Sequence, residues 1–317
     1  MNKIYLGDTF VKPSQSKTIF NPKIVEIGEV SRYMVDNNII SVNNEDISDR
    51  FTSIKTIGEY ALYYAFYEYC NISGTVNFAN LESVETYGLD HTFWNCFNLT
   101  SFSFPKLTHI GERGLQFTFY GCSNLQGTSF FPELISVEDY GLFGIFTNCT
   151  SLSGDIVLPK ITSVGQSALD AILRGCSNIN SFLLPELIEL GKNGLAYCCR
   201  DCTNLLSATF PKLTELSEYC FDQSFYNCTN FTSFSIPEVT TIRKYAFRNA
   251  FNNCTSLTSI SFPKASTIED YAFSSAFNGC TNLTEIHFRT DMQSIVESLT
   301  GYTSKFGATN ATIYFDL

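Results

Sequence analysis

Nine cysteines mark a regular interval along this chain: Cys70, Cys96, Cys122, Cys149, Cys176, Cys202, Cys228, Cys254 and Cys280 are separated by 26 or 27 residues throughout. A constant period between roughly 20 and 50 residues belongs to arrays in which each repeat is one coil stacked on the last. A lone coil cannot bury its apolar face, so the neighbours on either side supply the core. The period therefore predicts a single right-handed solenoid across most of the 317 residues, not two separate globules.

Aligning the cysteines gives a unit close to P-K/E-L-T-x-I-G-x-Y-A-F-x-x-x-F-x-N-C-T-N-L-T-S-F-S-F. After each cysteine comes L-x-x-F-x-F, as in Leu99, Phe102 and Phe104 or Leu257, Ile260 and Phe262. The alternation at its end has the period of a strand, with Phe102 and Phe104 inward and Ser101 and Ser103 outward. Proline follows in most coils (Pro105, Pro132, Pro159, Pro185, Pro211, Pro237, Pro263) and, lacking an N–H, marks a corner. A short L-x-x-I piece comes next, such as Leu107 and Ile110 or Val239 and Ile242. Then large apolar residues recur four apart: Leu89 and Phe93, Leu115 and Phe119, Phe221 and Phe225, Phe247 and Phe251, Phe273 and Phe277. That spacing predicts a short helical turn. Two coils carry an added glycine, Gly127 and Gly154, expected to bulge the strand entry.

A second period runs through the corners. The residue after each proline alternates in sign: Lys106, Glu133, Lys160, Glu186, Lys212, Glu238, Lys264. Stacked about 4.8 Å apart, these would make opposite-sign pairs along the column and penalise a slip by one coil.

Net charge is −11, from 31 acidic and 20 basic residues. With no Lys/Arg cluster the chain lacks the positive footprint that nucleic acid or an anionic membrane requires. No run is long enough to span a bilayer, so membrane insertion is not expected. Residues Met1 to Asp8 contain no apolar h-region, so no Sec signal peptide is read. The 44% apolar content, with 29 Phe and 17 Tyr, is read as filling a continuous core.

The cysteine column reads as small buried thiols in a reducing or non-oxidative compartment, because in-register stacking holds Cβ atoms farther apart than a disulfide prefers. Cys198-Cys199-Arg200-Asp201-Cys202 contains a C-x-x-C, but Cys202 belongs to the column and Cys199 takes the slot of Phe225. Cys220 likewise takes the small-residue slot of Ala246. No second C-x-x-C or paired histidines complete a zinc site, so no metal or other cofactor is expected. His91, His109 and His287 fall in different registers, and no nucleophile elbow, phosphate loop or H-E-x-x-H occurs. The chain reads as no enzyme. The sequons at Asn98, Asn148, Asn227 and Asn253 are read as by-products of the N-C-T wording, with Asn serving the backbone at a corner.

The unit, seen in Asn253 to Phe273 as N-C-T-S-L-T-S-I-S-F-P…T-I…Y-A-F, resembles the BspA-like type of leucine-rich repeat over about residues 54–288. Its coils are longer than that family's usual unit, with the extra residues around Phe251 and Phe277. The resemblance implies an α/β repeat solenoid of about nine coils with parallel strands and short helical turns. Three regions are expected: a cap with a degenerate coil over 1–53, which includes Pro22 to Gly28 and a polar insertion from Asn37 to Arg50; the array over 54–288; and a C-terminal cap over 289–317. In that last cap Asp291 to Leu299 reads as helix and Thr312 to Phe315 as strand. The resemblance also implies a non-catalytic adhesion or interaction protein whose partner is a protein or a surface glycan. Lys3 to Thr9 resembles a phrase at the start of some phage structural proteins of gut bacteria, which points to a virion component or a surface protein exported by a non-Sec route. The alternative is an intracellular scaffold or assembly protein. The expected binding face is the outward side of the main strands, at Ser101, Ser103, Ser233, Ser235, Ser259, Ser261, Glu285 and His287. Any oligomer would form through the N-terminal region.

Overall fold

The computed structural model describes residues 18–19, 51–68, 72–127 and 130–317, and in it the chain winds as a stack of parallel strands. Two families of strand run along the stack. The short strands hold two residues each, from Thr18–Ile19 and Thr56–Ile57 to Thr241–Ile242 and Thr267–Ile268, ten in all. They form parallel sheets of seven and three strands in which neighbours pair in register, as Ser83 and Val84 do with His109 and Ile110. From Thr56–Ile57 onward one of the two residues points inward, and Ile57, Val84, Ile110, Val137, Val164, Leu190, Leu216, Ile242 and Ile268 are all buried.

The main strands follow the cysteines: Gly74–Asn77, Leu99–Ser103, Ser153–Val157, Asn178–Leu183, Ser207–Thr209, Ser233–Ser235, Ser259–Phe262 and Glu285–Phe288. Their hydrogen bonding is broken into sheets of two, four and three strands, the last completed by Thr312–Phe315. Opposite Gly154, whose φ is +85°, the register shifts, but the residue skipped is Asn180 on the neighbouring strand, so the irregularity falls one coil beyond the bulge expected at Gly154. Gly127 also has a positive φ, +122°. Phe104 is buried, whereas Phe102 is partly exposed and packs against the edge of the core.

The third side of each coil departs from expectation. The residues read as a helical turn form no helix. A left-handed residue recurs at every fourth position instead, as at Arg113 (φ 53°), Phe117 (φ 49°) and Gly121 (φ 71°). Such a residue ends any α-helical run. Alternate amides close three-residue turns, as Gln116 N–H does on the Arg113 carbonyl at 3.2 Å. The intervening amides reach the next coil: Arg113, Leu115, Phe117, Phe119 and Gly121 donate to the carbonyls of Asp139, Gly141, Phe143, Ile145 and Thr147 at 2.8–3.0 Å. The segment is a ribbon of consecutive turns, laddered to its neighbours as a sheet is. Its period of four puts two residues in and two out, so Leu115 and Phe119 do share the inner face, without a helix.

Inside, aromatic rings stack coil on coil. Phe66, Phe93 and Phe119 lie 5.1 and 5.4 Å apart with planes within 6°, and Phe221, Phe247 and Phe273 repeat the arrangement at 5.6 and 5.4 Å. The described tyrosines do not join them. Most sit on the outward positions of the ribbon, half-exposed, which corrects the reading of Tyr as core.

At the C-terminal end a short 3-10 turn, Thr290–Met292, leads into the helix Gln293–Ser298. Phe306 then covers the last ribbon, 5.2 Å from Phe273. Thr312–Phe315 pairs in parallel with Glu285–Phe288 and closes the main sheet. The segments 22–28 and 37–50, and Cys70, lie outside the described residues.

Candidate binding faces

The eight described cysteines of the column are structural. Each is buried and turns its Sγ–H onto a carbonyl of the preceding coil, Cys122 to Phe93, Cys149 to Phe119 and Cys254 to Phe225, all at 3.0 Å. Burial pushes the Cys280 thiol up to about 12 and holds Cys122, Cys149, Cys176, Cys228 and Cys254 well above the ordinary range. Cys198, Cys199 and Cys220 are buried as well, and burial likewise raises Cys199 and Cys220. Such thiols are poor nucleophiles and poor metal ligands. Among the described residues no three His, Cys, Asp or Glu side chains gather to hold a metal.

The residue before each cysteine is left-handed: Asn148, Asn227 and Asn253 have φ near 60°, and Gly279 has φ 74°. Asn tolerates that conformation better than most residues, and glycine best. The amides then link up, Asn253 Nδ2 donating to Asn227 Oδ1 at 2.9 Å and Asn227 to Asp201 at 2.8 Å. The three histidines lie on three different sides: His91 on the ribbon, His109 on a short strand, His287 on a main strand.

The corner charges close as discrete pairs. Lys160 meets Glu133 at 2.5 Å, Lys264 meets Glu238 at 2.6 Å, and Lys212 meets Glu186, each lysine turning to the coil before it. Lys106 instead donates to Asn80 at 2.7 Å. All these pairs are about half-exposed and each contributes at most about 1 kcal/mol.

The expected strand face is divided among separate sheets. Ser101 and Ser103 stand beside Thr75 and Asn77, and Ser101 Oγ is 2.6 Å from Thr75 Oγ1. Ser233 and Ser235 pair with Ser207 and Thr209 in the next sheet. Ser259 and Ser261 pair with Glu285 and His287 in the third. His287 lies between Asp316 at 2.9 Å and Glu285 at 3.5 Å, ring against Tyr314, and the hydrogen bond to Asp316 raises its pKa.

The outward side of the ribbon carries more chemistry. In one column Tyr60 stacks on Tyr87 at 4.8 Å, and Arg113 lies between Tyr87 and Tyr140, 5.5 and 4.6 Å from their ring centres. In a second, Tyr64 stacks on His91 at 4.3 Å and His91 approaches Phe117 at 5.0 Å. In a third, Tyr67, Trp94 and Tyr120 stack at 5.8 and 3.8 Å. Phe117 can lie across the next coil because Gly144 is there: a Cβ at Gly144 would stand 2.3 Å from the ring. The chain's one tryptophan sits in this belt. The sequence signal was available, since Tyr60, Tyr63, Tyr64 and Tyr67 mark the outward pairs of a four-residue period.

Residues 9–140, 88–224 and 222–299 match the BspA type leucine rich repeat region, six copies of it. The chain belongs to that family. Solved leucine-rich-repeat structures are among those the chain is similar to. A leucine-rich-repeat protein of T. pallidum shares 24% identity over 58% of this chain and 77% of its own, with a TM-score of 0.41. One from Bacteroides ovatus shares 14% over 83% and 87%, with a TM-score of 0.37. An internalin from Listeria monocytogenes shares 16% over 82% and 64%, with a TM-score of 0.35. No curated protein matches. The likeness of Lys3 to Thr9 to phage structural proteins is not shown by these comparisons, and those residues lie outside the described ones. BspA-type and other leucine-rich-repeat arrays are generally interaction or adhesion modules and are typically non-catalytic. Among the described residues no helix is long and apolar enough to cross a membrane.

Proposed function

We propose that the chain is a non-catalytic adhesion module that binds a protein partner through the outward face of the turn ribbon, centred on Trp94. The aromatic belt from Tyr60 to Phe143 carries this reading. Tyr, Trp and Arg are the residues that dominate protein interfaces, and a contiguous half-exposed set of them is uncommon on a surface without a partner. The stacking also bears on the partner's chemistry. Within a column each ring face is covered by its neighbour, as between Trp94 and Tyr120 at 3.8 Å, so ring edges and hydroxyls point to solvent. A sugar stacks on ring faces, whereas a protein surface packs against edges and hydrogen-bonds to phenols. This favours protein over glycan.

Labelled protein, applied to a panel of bacterial and animal cells, tests the reading. Attachment should disappear after protease treatment of the cells and survive glycosidase treatment. Trp94→Ala with Tyr120→Ala should reduce it at least tenfold. Placing charged residues at Ser233, Ser235, Ser259 and Ser261 should leave it unchanged. The reverse pattern would move the site to the main strands and the partner to a glycan.

A further inference from the structure

Farther along the same ribbon face the aromatic columns part around a hollow of about 380 Å³. Its opening has a simple cause. Ala196 stands in the outward column where other coils carry Phe143, Asp222 or Arg248, and its methyl leaves the space empty. Asp170, Asn193 and Tyr197 border it, with Asp222, Arg248, Tyr219 and Lys192 around them.

The charges of the lining are unequally satisfied. Arg248 clamps Asp222 with two hydrogen bonds, Nε to Oδ1 at 3.0 Å and Nη2 to Oδ2 at 2.6 Å. Lys192 meets Glu218 at 3.0 Å. Asp170 is left over: partly buried and open to the hollow, its carboxyl has no hydrogen-bond or ion-pair partner among the described residues. The groups facing it are Asp222, which repels its charge, and Arg174, which is exposed and attracts it. Lys192 and Arg248 are engaged by their own carboxylates. A partly buried carboxyl without a partner is costly unless something supplies one.

We propose that this hollow receives a primary ammonium group, namely a lysine side chain of the protein partner. The proposal rests on the ribbon face being the binding face. Three residues with acceptor groups line the space, Asp170 on one coil and Asn193 and Tyr197 on the next, the Tyr197 hydroxyl oxygen accepting from Gln223 Nε2 at 2.9 Å and keeping a second lone pair. An ammonium is a compact point charge whose three donors can reach all three groups at once, whereas a planar guanidinium would fork onto the Asp170 carboxylate alone and leave the other two unmatched. Arg248 already holds both oxygens of Asp222 in that way.

Occupancy is coupled to a proton. Burial, reinforced by Asp222, pushes the empty Asp170 carboxyl up to about 8. An ammonium binds the carboxylate, so below that pH binding must expel the proton. Apparent affinity should therefore rise by roughly 50-fold between pH 6 and pH 8.

Nα-acetyl-lysine-N-methylamide, titrated into the full chain and followed by NMR, is the probe. It should bind at pH 8, weaken toward pH 6 by that factor, and fail to bind when its ammonium is acetylated. Calorimetry at pH 6.5 in buffers of different ionisation enthalpy should show close to one proton released per probe bound, a readout that needs no variant. Asp170→Asn should abolish binding at both pH values while melting no lower than the parent, since it removes a partly buried acid. Binding that survives Asp170→Asn, that is independent of pH, or that is matched by the arginine analogue would overturn the proposal. So would absence of binding at pH 8; if Trp94→Ala still removed cell attachment in that case, the hollow would fall and the aromatic face would stand. If the probe binds and attachment ignores the ribbon, the ammonium site stands and the docking face falls.

Discussion

A thiol that donates to the carbonyl of the coil before it does two things at once: it fills a tight corner and satisfies a buried backbone oxygen. The interval between the cysteines was visible in the chain. Their burial as free thiols was read from it too, but their acceptors were not, because that of Cys122 is Phe93 O and that of Cys149 is Phe119 O, 29 and 30 residues back. Only the stacked geometry brings the two together. Eight buried thiols have folded pKa values raised above those of the unfolded chain: Cys122, Cys149, Cys176, Cys199, Cys220, Cys228, Cys254 and Cys280. Above about pH 8.5 the unfolded thiols lose protons and the folded ones keep them, so the native state binds more protons and stability falls as pH rises. Each thiol contributes a slope of about 1.4 kcal/mol per pH unit between its two pKa values. A sharp loss of near-ultraviolet dichroism between about pH 9 and 11 is expected. A chain stable to pH 11 would contradict the account of the column.

The turn ribbon shows how one sequence pattern can serve two elements. Large apolar residues four apart, as at Phe247 and Phe251, fit one face of a helix equally well. What separates them is the left-handed residue at every fourth position. Asn253 and Gly279 advertise it, but Tyr245 (φ 59°) and Tyr271 (φ 61°) do not, since tyrosine is an unusual choice there. The serine face was legible as outward and the aromatic face was not, because tyrosine reads as core until the ribbon's two-in, two-out period is known. Asn253→Val places a branched side chain at φ 61° and breaks the amide link to Asn227, and should destabilise by about 1–3 kcal/mol. Gly279→Ala meets both the φ penalty and Asn253 Oδ1, which would lie 2.1 Å from the new Cβ. Urea midpoints should fall for both variants, and Asn253→Gly should fall less than Asn253→Val.

Over the whole molecule the strand stack and its parallel register followed from the cysteine interval, while the division of the main strands into sheets of two, four and three did not, since the repeat is the same on both sides of each break. The corner charges give the array a unit of two coils. Removing residues 229–254 deletes one coil, takes away Glu238 and sets Lys264 beside Lys212. Removing 203–254 deletes two coils and sets Lys264 beside Glu186. The single deletion should be stabilised by added salt, by about 1 kcal/mol or less, and the double deletion should not. Equal salt responses would show that the alternation carries no register.

The bonds that join coil to coil, in strand and ribbon alike, lie along the axis of the stack. Tension applied to its two ends would therefore load them one row after another instead of all together, and the end coil would peel before the next. Each coil that lets go exchanges about 4.8 Å of stack for 26 residues of chain, roughly 90 Å when drawn out. Held at one end and pulled at the other, the array yields in steps, lengthening nearly twentyfold per coil under a load that a globular domain would bear until it failed at once.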